Sequence, residues 1–124
     1  MKGHALDNSR GRTTKDGIRI FDDADFIGMR AAGQLAAQIL DEVAPLVVPG
    51  VTTEVLDGFI TDRVAQSGAV SATIGYRGYQ HASCISVNHV VCHGIPSSKV
   101  IKDGDILNID VTVIVDGWFG DTSR

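Results

Sequence analysis

The chain has 124 residues, of which 44% are hydrophobic and 21% charged, and its formal net charge is −4. These values are ordinary for one small globular domain, and the acidic balance argues against a DNA-binding surface. No apolar run has the length of a membrane span or a secretory signal. The two cysteines, Cys84 and Cys92, lack a CxxC spacing, which indicates reduced thiols and a cytoplasmic protein.

The first residues differ from the rest in charge. Residues 1–19 carry five basic and two acidic side chains, whereas residues 20–124 carry six and thirteen. Since this segment also has few apolar residues, we expect a flexible basic N-terminal extension over residues 1–19.

Two amphipathic helices are predicted next. The first begins at Asp22 or Asp23, which can cap it, and ends before Pro45. The second begins at Thr52 or Thr53. Both are interpreted as scaffold without a catalytic role. The predicted inward side chains are Phe26, Ile27, Met29, Gly33, Leu35, Ala36, Ile39, Leu40 and Val43 in the first helix, and Val55, Leu56, Phe59, Ile60 and Val64 in the second.

The following segment lacks periodicity up to residue 81, and residues 82–88 then predict a short strand. A second apolar piece, residues 90–92, continues into His93. Cys92 and His93 suggest a Cys–His nucleophile, but neighbours on a strand point to opposite faces and cannot form that pair.

Residues 106–115 are apolar and β-branched, as in a buried strand, and Asp116-Gly117 predicts a two-residue hairpin turn after them. That turn sets Thr112 opposite Asp121, and Asp110 opposite Ser123. The two aspartates then lie on one face, as diagonal neighbours roughly 7–8 Å apart. Two converging carboxylates repel each other unless a proton or a cation lies between them. We therefore interpret Asp110 and Asp121 as ligands of one metal ion or a pair.

The other acids near this hairpin have a simpler interpretation. Asp103, Asp105 and Asp116 flank glycines and are predicted turn residues. Asp110 differs because it interrupts an apolar run, where a charge is costly without a partner. Residues 121–123, Asp-Thr-Ser, also match an aspartic-protease motif, but only these three residues support it.

Several motifs together resemble type I methionine aminopeptidases over residues 20–124. The resemblance implies an α+β fold: the N-terminal half of a pita-bread fold, with helices packed on a curved antiparallel sheet. Residues 20–124 would be the N-terminal half of the catalytic domain. The motifs are Gly75–Tyr79, Ser83–Asn88, the Val-Cys-His-Gly-Ile-Pro run at 91–96, Lys102–Thr112 and Gly120–Ser123.

The resemblance implies a site with two divalent metal ions, Mn, Fe, Co or Zn, held in part by Asp110 and Asp121. A histidine and two glutamates from the C-terminal half complete this family's ligand set, and they have no counterpart here. The resemblance thus implies half of an enzyme, inactive alone, whose missing half is a second chain or a lost segment.

The resemblance also implies roles for side chains around the metals. His93 would hydrogen-bond the scissile amide of the substrate. Thr73, Tyr76, Tyr79 and Cys84 would line the pocket for the methionine side chain, whose thioether packs well on aromatic edges. The family often has cysteine where Thr73 stands, so its hydroxyl is a departure.

The implied activity is removal of the initiator methionine from nascent proteins, with their N-terminal methionine as substrate. The basic extension could then contact the ribosome, or be a solvated tail. The alternative is a non-catalytic half-domain that acts as a binding or decoy module at the ribosome. Metal-dependent methionine release distinguishes the two.

Overall fold

The computed structural model describes residues 12–90 and 92–124, so residues 1–11 and Val91 lie outside the described part. No helix in those two ranges is long and apolar enough to cross a bilayer. Short 3-10 turns occupy Ala44–Leu46 and Tyr76–Gly78. The helices and strands of the described chain are β1 Arg12–Thr13, β2 Arg19–Ile20, α1 Asp23–Val43, α2 Thr53–Gln66, β3 Val70–Ser71, β4 Ser83–Val87, β5 Leu107–Val115 and β6 Trp118–Ser123.

The first described residues form a small antiparallel hairpin of β1 and β2. Its turn is closed by the Thr14 carbonyl, which accepts a hydrogen bond from the Gly17 amide at 2.9 Å. Residues 12–19 of the predicted extension therefore have local structure. Residues 1–11 lie outside the described part, and an extension bounded at 1–19 stays a prediction.

α1 begins where it was predicted, at a reciprocal cap. The Asp22 carboxylate accepts from the Asp25 amide at 3.0 Å, and the Asp25 carboxylate accepts from the Asp22 amide at 2.9 Å. Two donors without a partner inside the helix are satisfied in this way.

The buried row of α1 agrees with the predicted stripe at Ala36, Ile39, Leu40 and Val43 and differs from it near the start of the helix. Phe26 and Ile27 are 46% and 65% exposed, so the prediction that they point inward was wrong. The first part of the helix instead places small residues against the sheet: a Cβ on Gly28 would overlap the indole of Trp118. The side of α1 that faces the sheet thus includes Gly28 but neither Phe26 nor Ile27. The buried residues of α1 are Asp25, Ala32, Ala36, Ile39, Leu40 and Val43.

α2 begins at the predicted cap, where the Thr52 side chain accepts from the Val55 amide at 3.3 Å. Leu56, Ile60 and Val64 are buried as expected. Val55, in the first turn, is 59% exposed, so its predicted inward orientation was wrong.

β5 is the central strand of the main sheet and is antiparallel to each neighbour. β6 lies along one edge, and β3 and β4 follow each other along the other edge. The predicted hairpin register is confirmed: Thr112 pairs with Asp121, and Asp110 pairs with Ser123. The Asp-Gly turn fixes this pairing because its length leaves one register.

Both predicted turns around β5 are confirmed. Asp116 and Gly117 have φ values of +49° and +80°, as a type I′ turn requires. Before the strand, the Asp105 carboxylate accepts from the Lys102 amide at 2.9 Å and closes the turn around Gly104. These aspartates shape the backbone at each end of β5.

The two faces of β5 have different surroundings because successive side chains alternate. Ile109, Val111 and Val113 are buried in a core shared with α1 and α2. Asp110 and Thr112 lie on the opposite face and are half-buried. The helices thus cover one face of the sheet, and the other carries the polar residues.

Gly120 permits the close approach of β6 to α1. A Cβ at residue 120 would overlap the backbone of Ala32 and Gly33. Gly120→Ala is therefore expected to destabilise the chain by about 1–3 kcal/mol. Chemical unfolding, monitored by circular dichroism, measures this loss in the free energy of unfolding.

Gly58 is the matched control for that substitution. It lies on exposed α2 surface, with open space where a Cβ would be. Gly58→Ala is expected to stabilise the chain by roughly 0.5–1 kcal/mol through helix propensity. Equal effects of the two substitutions would contradict the packing assigned to Gly120.

Candidate metal centre and adjoining cavity

The β5–β6 hairpin brings Asp110 and Asp121 together on the face of the sheet away from the helices. Asp110 opposes Ser123 and Asp121 opposes Thr112, and the pair Val111–Thr122 separates these two pairs of the ladder. The Thr112 hydroxyl donates to Asp121 Oδ1 at 3.0 Å and orients that carboxylate. The convergence predicted from the register is therefore present.

The electrostatics of the pair favour a cation. Burial, followed by the interaction with the Asp121 carboxylate, raises the pKa of Asp110 to about 6, and nearby His93 acts in the opposite direction. A raised pKa means that Asp110 keeps a proton to higher pH than a free aspartate does. A metal ion bound here must displace that proton, so we expect affinity to fall as the pH drops through about 6.

The donor set fits a divalent cation in part. Carboxylate oxygens are suitable ligands for divalent ions such as Mn²⁺. Within residues 12–90 and 92–124, no group of three or more His, Cys, Asp or Glu side chains could hold a metal ion. Asp110 and Asp121 can therefore supply only part of a coordination sphere.

A cavity of about 540 Å³ adjoins the pair. Cys84 on β4 is paired with Asp110 on β5, so both side chains are on the same face. The cavity thus lies next to Asp110. All five residues predicted to contact substrate are in its lining, which consists of Thr73, Tyr76, Arg77, Gly78, Tyr79, Cys84, His93 and Ile95.

His93 lies in a loop, so the prediction of a strand continuing into it was wrong. Its φ is +57°, and the side chain is exposed. Gly94 docks this loop on β4: its carbonyl accepts from the Ile85 amide at 2.8 Å, and its amide donates to Ser86 Oγ at 3.0 Å. A Cβ on Gly94 would overlap the Ile85 carbonyl, so glycine is required to place His93 at the cavity.

Two hydroxyl groups of the cavity wall donate hydrogen bonds to backbone carbonyls. Tyr79 donates its hydroxyl to the Ser83 carbonyl at 2.7 Å, and the Cys84 thiol lies 3.6 Å from that hydroxyl. Burial is the main reason that the pKa of Tyr79 is raised, so it remains a neutral donor. Thr73 donates to the His81 carbonyl at 2.6 Å. The hydroxyl that distinguishes Thr73 from a cysteine therefore has a partner in the wall.

Comparison with known proteins shows that this chain is similar to metallopeptidases. Residues 27–124 match the model of metallopeptidase family M24. The methionine aminopeptidases of Rickettsia prowazekii and Escherichia coli K12 are 52% and 53% identical over 107 and 109 residues. Each match covers 86% of this chain and 41% of the relative, so the chain spans less than half the length of these relatives.

Solved structures agree with the fold. The crystal structure of the Rickettsia prowazekii methionine aminopeptidase matches with a TM-score of 0.85 at 52% identity, covering 86% of this chain and 43% of that one. The Thermotoga maritima methionine aminopeptidase matches with a TM-score of 0.81 at 36% identity and the same coverage. The α+β arrangement is therefore the N-terminal half of the pita-bread fold, as predicted. Because the family match includes most of its residues, the chain belongs to metallopeptidase family M24.

Proposed function

We propose that this chain forms part of the active site of a metal-dependent aminopeptidase that removes N-terminal methionine. The observation that carries the proposal is the position of the Asp110–Asp121 pair beside the cavity that His93 lines. The names of the relatives at 52% and 53% identity support the choice of substrate. The proposal concerns the activity of a site to which this chain contributes two ligands.

In this proposal each residue has a distinct job. Asp110 and Asp121 hold divalent metal, which polarises the scissile carbonyl of the substrate when bound. His93 donates a hydrogen bond to the scissile amide and orients it. The substrate's thioether side chain enters between Tyr76, Tyr79 and Cys84, where aromatic and sulfur surfaces suit it.

The finer assignments are also part of the proposal. The metals are two ions of Mn, Fe(II), Co or Zn. A ligand set of carboxylate oxygens and one imidazole, from the histidine of the C-terminal half, accepts any of these ions. The substrates are nascent peptides with N-terminal methionine, met in the cytoplasm at the ribosome. Further ligands come from a C-terminal half like that of the relatives, as a second chain or a continuation.

Complementation tests the proposed activity. The 124-residue chain is mixed with the C-terminal segment of the Rickettsia prowazekii relative that follows the matched region. Mn(II) is added, and methionine release from a Met-Gly-Ser peptide is measured. We expect release from the mixture and none from either part alone.

Two outcomes would contradict the proposal. Release by the chain alone would show that its two carboxylates need no second half. A mixture that forms a complex, binds Mn(II) and releases no methionine would favour the alternative, a non-catalytic binding module. Removing the metal with EDTA is the control, and it should stop any release.

A further inference from the structure

A buried carboxylate connects α2 to the wall of the cavity. Asp57 is only 6% exposed. Its Oδ1 accepts hydrogen bonds from the Ala82 amide at 3.0 Å and the Ser83 hydroxyl at 2.7 Å, and its Oδ2 lies 3.1 Å from His81 Nδ1. A buried carboxylate is costly unless it is hydrogen-bonded, and here three successive residues supply the donors.

The segment of residues 81–83, which is hydrogen-bonded to Asp57, lies behind the residues that line the cavity. Its carbonyls accept the side-chain hydrogen bonds of two lining residues: Thr73 donates to His81, and Tyr79 donates to Ser83. The Tyr79 ring also makes an edge-on contact with the His81 ring, with centroids 5.5 Å apart. Cys84, a third lining residue, follows Ser83 directly.

We propose that Asp57 is a positioning residue that fixes this wall and thereby determines which side chains the cavity admits. Asp57 does not line the cavity, so its effect passes through residues 81–84. A fixed wall keeps the spacing between Tyr79 and Cys84 constant, which favours a narrow, unbranched side chain over a branched one. The claim about the wall rests on the contacts of this chain, and the claim about methionine rests on the proposed function.

The reactivity of Cys84 reports directly on the wall. Iodoacetamide alkylation is measured by peptide mass spectrometry on the 124-residue chain, with Cys92→Ser removing the exposed second thiol. Asp57→Asn keeps the size and removes the charge that strengthens the three hydrogen bonds. We expect Cys84 to be alkylated about tenfold faster in this variant, because the wall opens more often.

Ser83→Ala is the second variant, since it removes one donor and keeps the carboxylate. A smaller acceleration of Cys84 alkylation is expected. Asp62→Asn makes the same charge change at an exposed position of α2, and Ile39→Val weakens the core in α1. Neither control should change the rate.

Two results would overturn the role of Asp57 in the wall. One is a rate of Cys84 alkylation in Asp57→Asn equal to the rate in the chain that keeps Asp57. The other is an Ile39→Val rate raised as much as that of Asp57→Asn, because general softening would then explain both.

Ligand protection tests selectivity separately. Methionine amide should slow Cys84 alkylation more than leucine amide does, and Asp57→Asn should abolish that difference. No preference in the unaltered chain would refute the methionine pocket, while the alkylation rates without ligand would still decide the role of Asp57. A preference that survives Asp57→Asn would refute its control of selectivity.

Discussion

Asp110→Asn and Asp121→Asn are each expected to remove Mn(II) binding and methionine release from the complemented protein. An asparagine keeps the shape of the side chain but loses the negative charge and one ligand oxygen. Changes to outer-shell partners of a metal already cost about 10–100-fold, so losing a direct ligand should cost at least that much. Metal content by mass spectrometry and release from Met-Gly-Ser measure the two effects.

Asp103→Asn is the matched control for these substitutions. Asp103 is an exposed carboxylate in the turn before β5, and the substitution makes the same change of charge. It should leave metal content and activity unchanged. If Asp110→Asn and Asp121→Asn behave like this control, the two aspartates are not metal ligands.

His93→Ala is expected to lower turnover by about 10²–10³-fold while the metal content stays the same. The reason is that His93 lines the cavity and is proposed to contact the scissile amide, whereas Asp110 and Asp121 are the proposed metal ligands. The measurement is kcat for Met-Gly-Ser together with bound Mn(II) per complex.

His89→Ala is the control for His93. His89 is also an exposed histidine near β4, but it lines a different cavity. It should keep normal turnover. Loss of Mn(II) in His93→Ala would show instead that His93 is a metal ligand or supports the pair structurally.

The hairpin could be predicted from sequence because its information is local. Asp116-Gly117 fixes the pairing of the strands, and the period of two fixes which side chains share a face. Asp110 and Asp121 therefore followed from residues less than a dozen positions apart. The helix starts were predicted for a similar reason, since their caps are within four residues of their partners.

The position of His93 depends on contacts that no local pattern specifies. Residues 90–92 look like a strand because they are apolar, yet Gly94 holds the loop that contains His93 against β4. The exposed Phe26 and Ile27 have a related cause. Helical periodicity identifies several adjacent apolar rows in α1, and only packing against β6 selects the row that is buried.

Asp57 was missed although the sequence contains a signal. It lies four residues after Thr53 and three before Ile60, so it is on the buried side of α2. An acid in such a row requires hydrogen-bond partners. Those partners, at residues 81–83, are more than 20 positions away in sequence, and only the tertiary structure identifies them.

An anomalous diffraction map from Mn(II)-soaked crystals of the complemented protein is the most direct test of the metal assignment. We expect manganese peaks bound by the carboxylates of Asp110 and Asp121, with the His93 side chain outside the coordination sphere. Manganese bound elsewhere, with none at this pair of carboxylates, would contradict the assignment.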